Sequence, residues 1–225
     1  MDNMTIMTMS DNHGKLEGIK VPPCDLLIHA GDVCPDYAPG SPWGSGMQEG
    51  WLSSKWLNWL DLQPVVYTLA TFGNHDFVRT NGTPRMFNVD ELVQLGDLKI
   101  WMSPWSNTFG GWAWMKDPSD LANIYSLIPE GTDIIVSHQP PFGYGDQVPE
   151  RFRFANEDPD GHVGSKELVE TMNRVKPKVV ICGHIHSGWG VYKHICPDGH
   201  IVKVYNVALV DEEYELVNKP TEITL

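Results

Sequence analysis

The sequence predicts a layered α/β fold, and three observations carry that expectation. Short apolar runs rich in β-branched residues recur along the chain, helix-like stretches separate them, and the tail reads as strands joined by tight turns. A chain of 225 residues is long enough for one sizeable domain with its own core.

The elements follow in order. Residues 5–9 run into Ser10-Asp11-Asn12-His13-Gly14, and residues 25–29 into Ala30-Gly31-Asp32. Residues 65–70 lead to Phe72-Gly73-Asn74-His75-Asp76, residues 133–136 to Ser137-His138-Gln139-Pro140-Pro141, and residues 178–181 to Cys182-Gly183-His184-Ile185-His186. Each run has the length and composition of a buried strand. Residues 51–60 place Trp51, Leu52, Trp56, Trp59 and Leu60 near helical spacing, with Pro64 as the stop. That spacing makes the three tryptophans core residues rather than a base-stacking platform. Further helices are predicted over residues 90–95, 119–128 and 165–175, the last before Pro177. Pro197-Asp198-Gly199 lies between two β-rich runs and predicts a hairpin, with further short strands beyond it. Residues 35–50, rich in Gly, Pro and Ser, read as a long loop that touches the substrate.

Sixteen Lys and Arg against twenty-nine Asp and Glu give a net charge of -13. Such a surface repels the backbone of long nucleic acids. It does not exclude a small phosphate substrate, because a bound metal pair reverses the local field. No apolar run approaches the roughly 20 residues a membrane helix needs, and MDNMTIMTMS lacks the pattern of a signal peptide. A cytoplasmic protein that binds no membrane is therefore expected. Cys24, Cys34, Cys182 and Cys196 form no CxxC pair and read as buried small hydrophobes.

Five of the nine histidines, His13, His75, His138, His184 and His186, fall in the loops just after the predicted strands. In open α/β sheets that rim is where loops converge on a ligand. Any one of these histidines alone reads as an ordinary structural residue. Three adjacent polar residues after a buried strand, as in Asn74-His75-Asp76, already call for partners. The five clusters together, in this order, are the signal. His29, His194 and His200 read as structural.

That order resembles the calcineurin-like metallophosphoesterase superfamily, whose motifs run DxH, GDxx, GNHD or GNHE, a lone His, and GHxH. Within it the chain is similar to the metallophosphoesterase-domain (brain 239-like) family. The likeness rests on Ser103-Pro104-Trp105, Gly111-Trp112-Ala113-Trp114, the run from Ser137 to Asp146, Gly161-His162-Val163-Gly164, and the run from Gly183 to Gly190. The resemblance implies one domain over residues 1–225 with an α/β/β/α sandwich of two mixed β-sheets. It implies a pair of divalent ions, Mn²⁺ foremost in vitro, with Fe, Zn, Ni or Co as alternatives. Carried over by position, Asp11, His13 and His186 hold the first ion, Asn74, His138 and His184 the second, and Asp32 bridges them. Imidazole, carboxylate and amide donors without thiolate suit such ions. His75 would stand beside the scissile phosphate as proton donor, with Asp76 as the partner of its other nitrogen.

The implied activity is hydrolysis of small phosphodiesters such as cyclic nucleotides by metal-activated water. A phosphomonoesterase or pyrophosphatase on the same site is the alternative, as is a nucleotide-binding protein without turnover. The run Gly31-Asp32-Val33-Cys34-Pro35-Asp36 lacks the Arg of the phosphoprotein phosphatases' GDxxDRG, which disfavours a phosphoprotein substrate. His162 is the foremost substrate-binding candidate, and Arg79, Arg85, Asn107 and Tyr144 are further residues expected to line the cleft. Trp105, Trp112 and Trp189 lie in motif loops where one ring can stack on a nucleobase.

Overall fold

The structure is a computed structural model that describes residues 4–37, 42–78, 84, 86–153 and 158–225. Alternation along its strands explains the layering. In β8 (Ile134–Ser137), Ile134 and Val136 face one way and Ile135 the other, and all three are buried. The neighbouring β9 (Val179–Cys182) repeats this, with Val179 and Ile181 on one face and Val180 and Cys182 on the other. A strand apolar on both faces must be covered on both.

Two mixed sheets provide the inner layers. The first has the order β12 (Thr221–Ile223), β1 (Ile6–Met9), β2 (Cys24–His29), β3 (Val65–Ala70), with β1, β2 and β3 parallel. The second has the order β10 (Gly190–Ile195), β11 (Ile201–Asn206), β9, β8, β5 (Leu98–Ser103), β4 (Glu91–Leu95), parallel from β11 to β5 with antiparallel edges. A short parallel pair joins β6 (Ser106–Asn107) and β7 (Met115–Lys116). Ile6, Leu26 and Ile28 of the first sheet meet Ile100, Met102, Ile134, Val136 and Ile181 of the second in a shared core.

Helices close the two outer faces. Helix α1 (Pro42–Trp51) continues through a π-helical turn, Leu52–Trp56, into α2 (Leu57–Leu60). Its Leu52 and Trp56 pack on Met7, Met9 and Leu27, and the Trp56 ring stacks between Trp51 and Trp59. On the other side, α3 (Pro118–Ser126) and α4 (Lys166–Val175) set Leu121, Tyr125, Leu168 and Met172 against Trp101, Ile135 and Val180. The Ser165 hydroxyl caps α4 by accepting from Leu168 N at 3.1 Å. The four layers are thus α/β/β/α, as expected, and all four cysteines are buried and free. No helix among the described residues is long and apolar enough to cross a membrane.

Two local expectations are corrected. Residues 90–95 are not a helix: Gly96, at φ 59°, and Asp97 form a two-residue turn that pairs β4 with β5 from Leu95↔Leu98 to Glu91↔Met102. The loop expected over residues 35–50 gives way to α1 from Pro42, a residue suited to a first helical position. Gln48 anchors that helix. Its amide donates to Pro35 O (2.9 Å) and His75 O (2.8 Å) and accepts from Phe77 N (2.7 Å).

Candidate metal centre

The loops that leave β1, β2, β3, β8 and β9 at their C-terminal ends meet at one point. Asp11, His13 and His186 present one donor atom each within 4.8 Å of one another, and Asp32, His138 and His184 do the same. Asp32 lies between the two groups, its Oδ2 3.8 Å from His13 Nε2 and 3.4 Å from His138 Nε2. Asn74 Oδ1 sits 3.0 Å from His138 Nε2. The seven residues proposed as ligands from the sequence are therefore brought together, with Asp32 next to His13 of one group and His138 of the other.

The backbone is bent to bring this about. Asp11, His13, Asp32 and His184 all hold positive φ, from 44° to 66°, in the left-handed region that costs a non-glycine residue roughly 1–3 kcal/mol. Glycines make room beside them. A Cβ at Gly73 would collide with Asp32 Oδ1, and one at Gly183 with Asp11 Oδ2 and Ser10 Oγ. The glycines of the GNHD and GHxH runs are thus required by close approach of a ligand carboxylate.

Neighbouring groups orient the donors. His138 Nδ1–H donates to Ala30 O at 2.9 Å and His186 Nδ1–H to Asp211 O at 2.9 Å, which leaves each Nε2 toward the cluster. Asp11 accepts from His184 N at 3.0 Å and from the Ser10 hydroxyl. A pair of divalent ions fits this set on two observations. His13 Nδ1 is buried without a partner among the described residues, and His13 Nε2 faces His186 Nε2 at 3.3 Å, so at most one of these two nitrogens donates to the other. Nitrogen and oxygen donors without a thiolate suit borderline and hard cations.

Electrostatics match. Burial alone would raise the Asp11 carboxyl, but His186 and His138 pull it down to about 2. Burial would likewise raise Asp32, yet His138 and His75 hold it well below the carboxylate range. Burial drives His13 to about 4 and His184 to about 3, so both are neutral donors, whereas Asp32 overrides burial at His138 and lifts it to about 9.

His75 stands beside this group, its backbone N–H donating to Asp32 Oδ1 at 2.8 Å and its ring packed on Trp112 at 4.2 Å between centroids. Asp76 is not its partner, contrary to the sequence expectation. The Asp76 carboxylate is buried and accepts from the amides of Cys34 (2.8 Å), Gly73 (2.8 Å) and Val33 (3.3 Å), tying the loop after β2 to the loop after β3. Asp36 takes the place instead, with Oδ1 2.8 Å from His75 Nδ1. Burial would lower the His75 ring, but Asp32 and Asp36 outweigh it and raise it.

A cleft of about 1020 Å³ opens over the cluster, lined among others by Asp32, His75, Trp112, Phe109, Phe142 and Tyr214. His162 and Asn107 line it too, and His162 is oriented by Asp146 Oδ1 at 2.8 Å from its Nδ1. Tyr144 does not line it: its hydroxyl is bound to His194 Nδ1 at 2.9 Å, next to the α4-side core. Arg79 and Arg85 lie outside the described residues. Trp112 is in the cleft, while Trp105 donates to Asp90 and packs on Trp114. Sequence reasoning missed Tyr214, whose ring lies 4.7 Å from His13 and 5.3 Å from His186. Burial, with Asp36, Asp32 and Asp11, pushes its phenol up to about 12, so it stays protonated.

A sequence model of the calcineurin-like phosphoesterases matches residues 4–188. The chain is 29% identical over 250 residues to metallophosphoesterase domain-containing protein 1 of Homo sapiens, covering 96% of this chain and 69% of that protein. The Mus musculus protein of the same name matches equally. Among solved structures, phosphopantetheinyl hydrolase from Mycobacterium tuberculosis aligns with a TM-score of 0.53 at 14% identity, covering 98% of this chain and 96% of the other. Purple acid phosphatase PPD1 from yellow lupin aligns with a TM-score of 0.50 at 13% identity, covering 98% and 47%. These two share the fold with this chain.

Proposed function

The chain belongs to the calcineurin-like phosphoesterase family and is a metal-dependent phosphoric ester hydrolase, and we propose that it cleaves small phosphodiesters, cyclic nucleotides among them. The observation that carries this is the place of Asp32 between His13 and His138, with His75 beside it at the floor of the cleft. Asp11, His13 and His186 would hold one divalent ion, Asn74, His138 and His184 the other, and Asp32 both. When bound, such a pair supplies Lewis-acid activation of a water nucleophile and positive charge for the phosphoryl oxygens.

The residues of the chain do the rest. His75, with Nδ1 held by Asp36, offers Nε2–H to the departing alkoxide. Trp112 covers the His75 ring and keeps bulk water from it. Asp76 keeps the loops of Asp32 and His75 in register through its three amides. The cleft is far larger than a phosphate group needs, and Phe109, Phe142 and Phe152 on its walls suit an organic group on the ester. Phe142 and His162, 5.4 Å apart, form a surface for a planar group such as a nucleobase. Both points support an ester that carries a planar organic group, a feature nucleotide diesters and monoesters share, so the assay decides between them.

Protein stripped of metal and reloaded with Mn²⁺, Zn²⁺, Ni²⁺ or Co²⁺ is to be assayed on bis-p-nitrophenyl phosphate, p-nitrophenyl phosphate and the 2′,3′- and 3′,5′-cyclic nucleotides. Faster turnover of the diesters is expected, with Mn²⁺ among the active ions. A preference for the monoester would overturn the diester reading.

A further inference from the structure

The segment after β11 is tied to the candidate metal centre through Asp211 and places the half-buried phenol of Tyr214 in the cleft. Asp211 O accepts from His186 Nδ1, and Tyr214 N donates back to Asp211 O at 2.9 Å. The Asp211 carboxylate accepts from Glu213 N and Glu215 N, at 3.0 and 2.9 Å. Lys15, two residues beyond His13, donates its ammonium to Tyr214 O. Tyr214 is thereby held at a φ of 61° with its ring edge-on to three imidazoles: His13 at 4.7 Å, His186 at 5.3 Å and His75 at 6.1 Å. It lines the same cleft as Asp32, Asn74 and His184. Among the described residues its hydroxyl has no hydrogen-bond partner. A phenol fixed this closely by its backbone, beside the Asp32 cluster, carries a donor that none of the described residues uses.

We propose that Tyr214 is a substrate-binding residue whose hydroxyl donates a hydrogen bond to a non-bridging oxygen of the bound phosphoryl group. The inference rests on the reading that phosphate esters bind at the Asp32 cluster. The ring packs against His13 and His186, so the hydroxyl is delivered on the side of the Asp11 group, and His75 serves the departing oxygen. A bond from a neutral donor to a charged oxygen is stronger than a neutral pair, and its loss should be visible without any change in packing.

The test is Tyr214→Phe, which keeps the ring contacts and removes only the donor. Inorganic phosphate is titrated into the metal-loaded wild-type and Y214F proteins by calorimetry, with metal content and thermal midpoint measured alongside. The expected result is a phosphate Kd raised on the order of tenfold in Y214F, with unchanged metal content and midpoint, and a comparable fall in kcat/KM for bis-p-nitrophenyl phosphate. Equal phosphate affinity in the two proteins would overturn the role of Tyr214 while leaving the phosphoesterase reading intact. Metal-loaded wild-type protein that takes up no phosphate would sink that reading, and Tyr214 with it.

Discussion

His75 Nδ1 lies 2.8 Å from Asp36 Oδ1, so the side chain that orients the candidate proton donor comes from the loop after β2, not from the adjacent Asp76. The ring is thereby held between a carboxylate at one nitrogen and the open cleft at the other, with Trp112 against its face. The pair makes two substitutions distinguishable. His75→Ala should retain both ions and lose on the order of 10²-fold in kcat on substrates with alkoxide leaving groups. Asp36→Asn should lose less, and because Asp36 is one of the groups that raise His75, the alkaline limb of the pH–rate profile should move to lower pH. Turnover of H75A near that of wild type on an alkyl ester would remove His75 from the mechanism.

Asp32 lies between His13 and His138, one histidine of each donor group, and its carboxylate also accepts from the His75 amide. Asp32→Ala should therefore release metal as well as abolish activity, where H75A loses activity alone. Elemental analysis after gel filtration reads the difference. Two ions per chain in purified D32A would contradict the sharing.

Asp76→Ala tests a structural role. Three amides, of Val33, Cys34 and Gly73, would lose their common acceptor in a buried site. A loss of about 2–4 kcal/mol is expected, which for a chain of this size lowers the thermal midpoint by roughly 4–16 °C. A midpoint unchanged from wild type would show that the two loops are held by something else.

Acid should weaken the metal-free protein. Burial holds His29 and His184 down to about 3 and His13 to about 4. The unfolded chain protonates these rings near 6.5, so it binds more protons than the folded protein below that pH, and stability is lost as pH falls. Asp76 acts in the opposite sense: burial and Asp32 raise it to about 6, so its contribution is full below 3.8 and lost as pH rises through 6. Burial also lowers His194 and raises Asp90, and the raised rings of His75, His138 and His186 have given their stabilisation once pH is below 6.5. Four rings thus stand against two carboxyls and leave a net loss between pH 6.5 and 4, each fully buried ring contributing up to about 1.4 kcal/mol per pH unit. Urea midpoints of chelator-treated protein at pH 6.5 and 4.5 check this, and a higher midpoint at the lower pH would contradict it.

What was legible in the sequence was what strand ends reveal. Asp11, His13, Asp32, Asn74, His138, His184 and His186 each follow a buried apolar run directly, and parallel strands deliver their C-terminal loops to one place. The partner of His75 was not legible, because adjacency favoured Asp76 while the course of the loop after β2 decided for Asp36. Residues 90–95 fit a helical or an extended template equally, and only the Gly96-Asp97 turn and the pairing with β5 settle them. Helix α1 owes its place to tertiary bonds from Gln48 that no local propensity reports. Tyr214 sits in no motif, and its bearing on the site comes from tertiary ties, Asp211 to His186 and Lys15 to Tyr214 O among them.

The most direct test of the account is anomalous diffraction from crystals of the Mn²⁺-loaded protein. Two peaks are predicted, one among Asp11, His13 and His186 and one among Asn74, His138 and His184, with the Asp32 carboxylate touching both. A single peak, or two peaks that do not share Asp32, would contradict it.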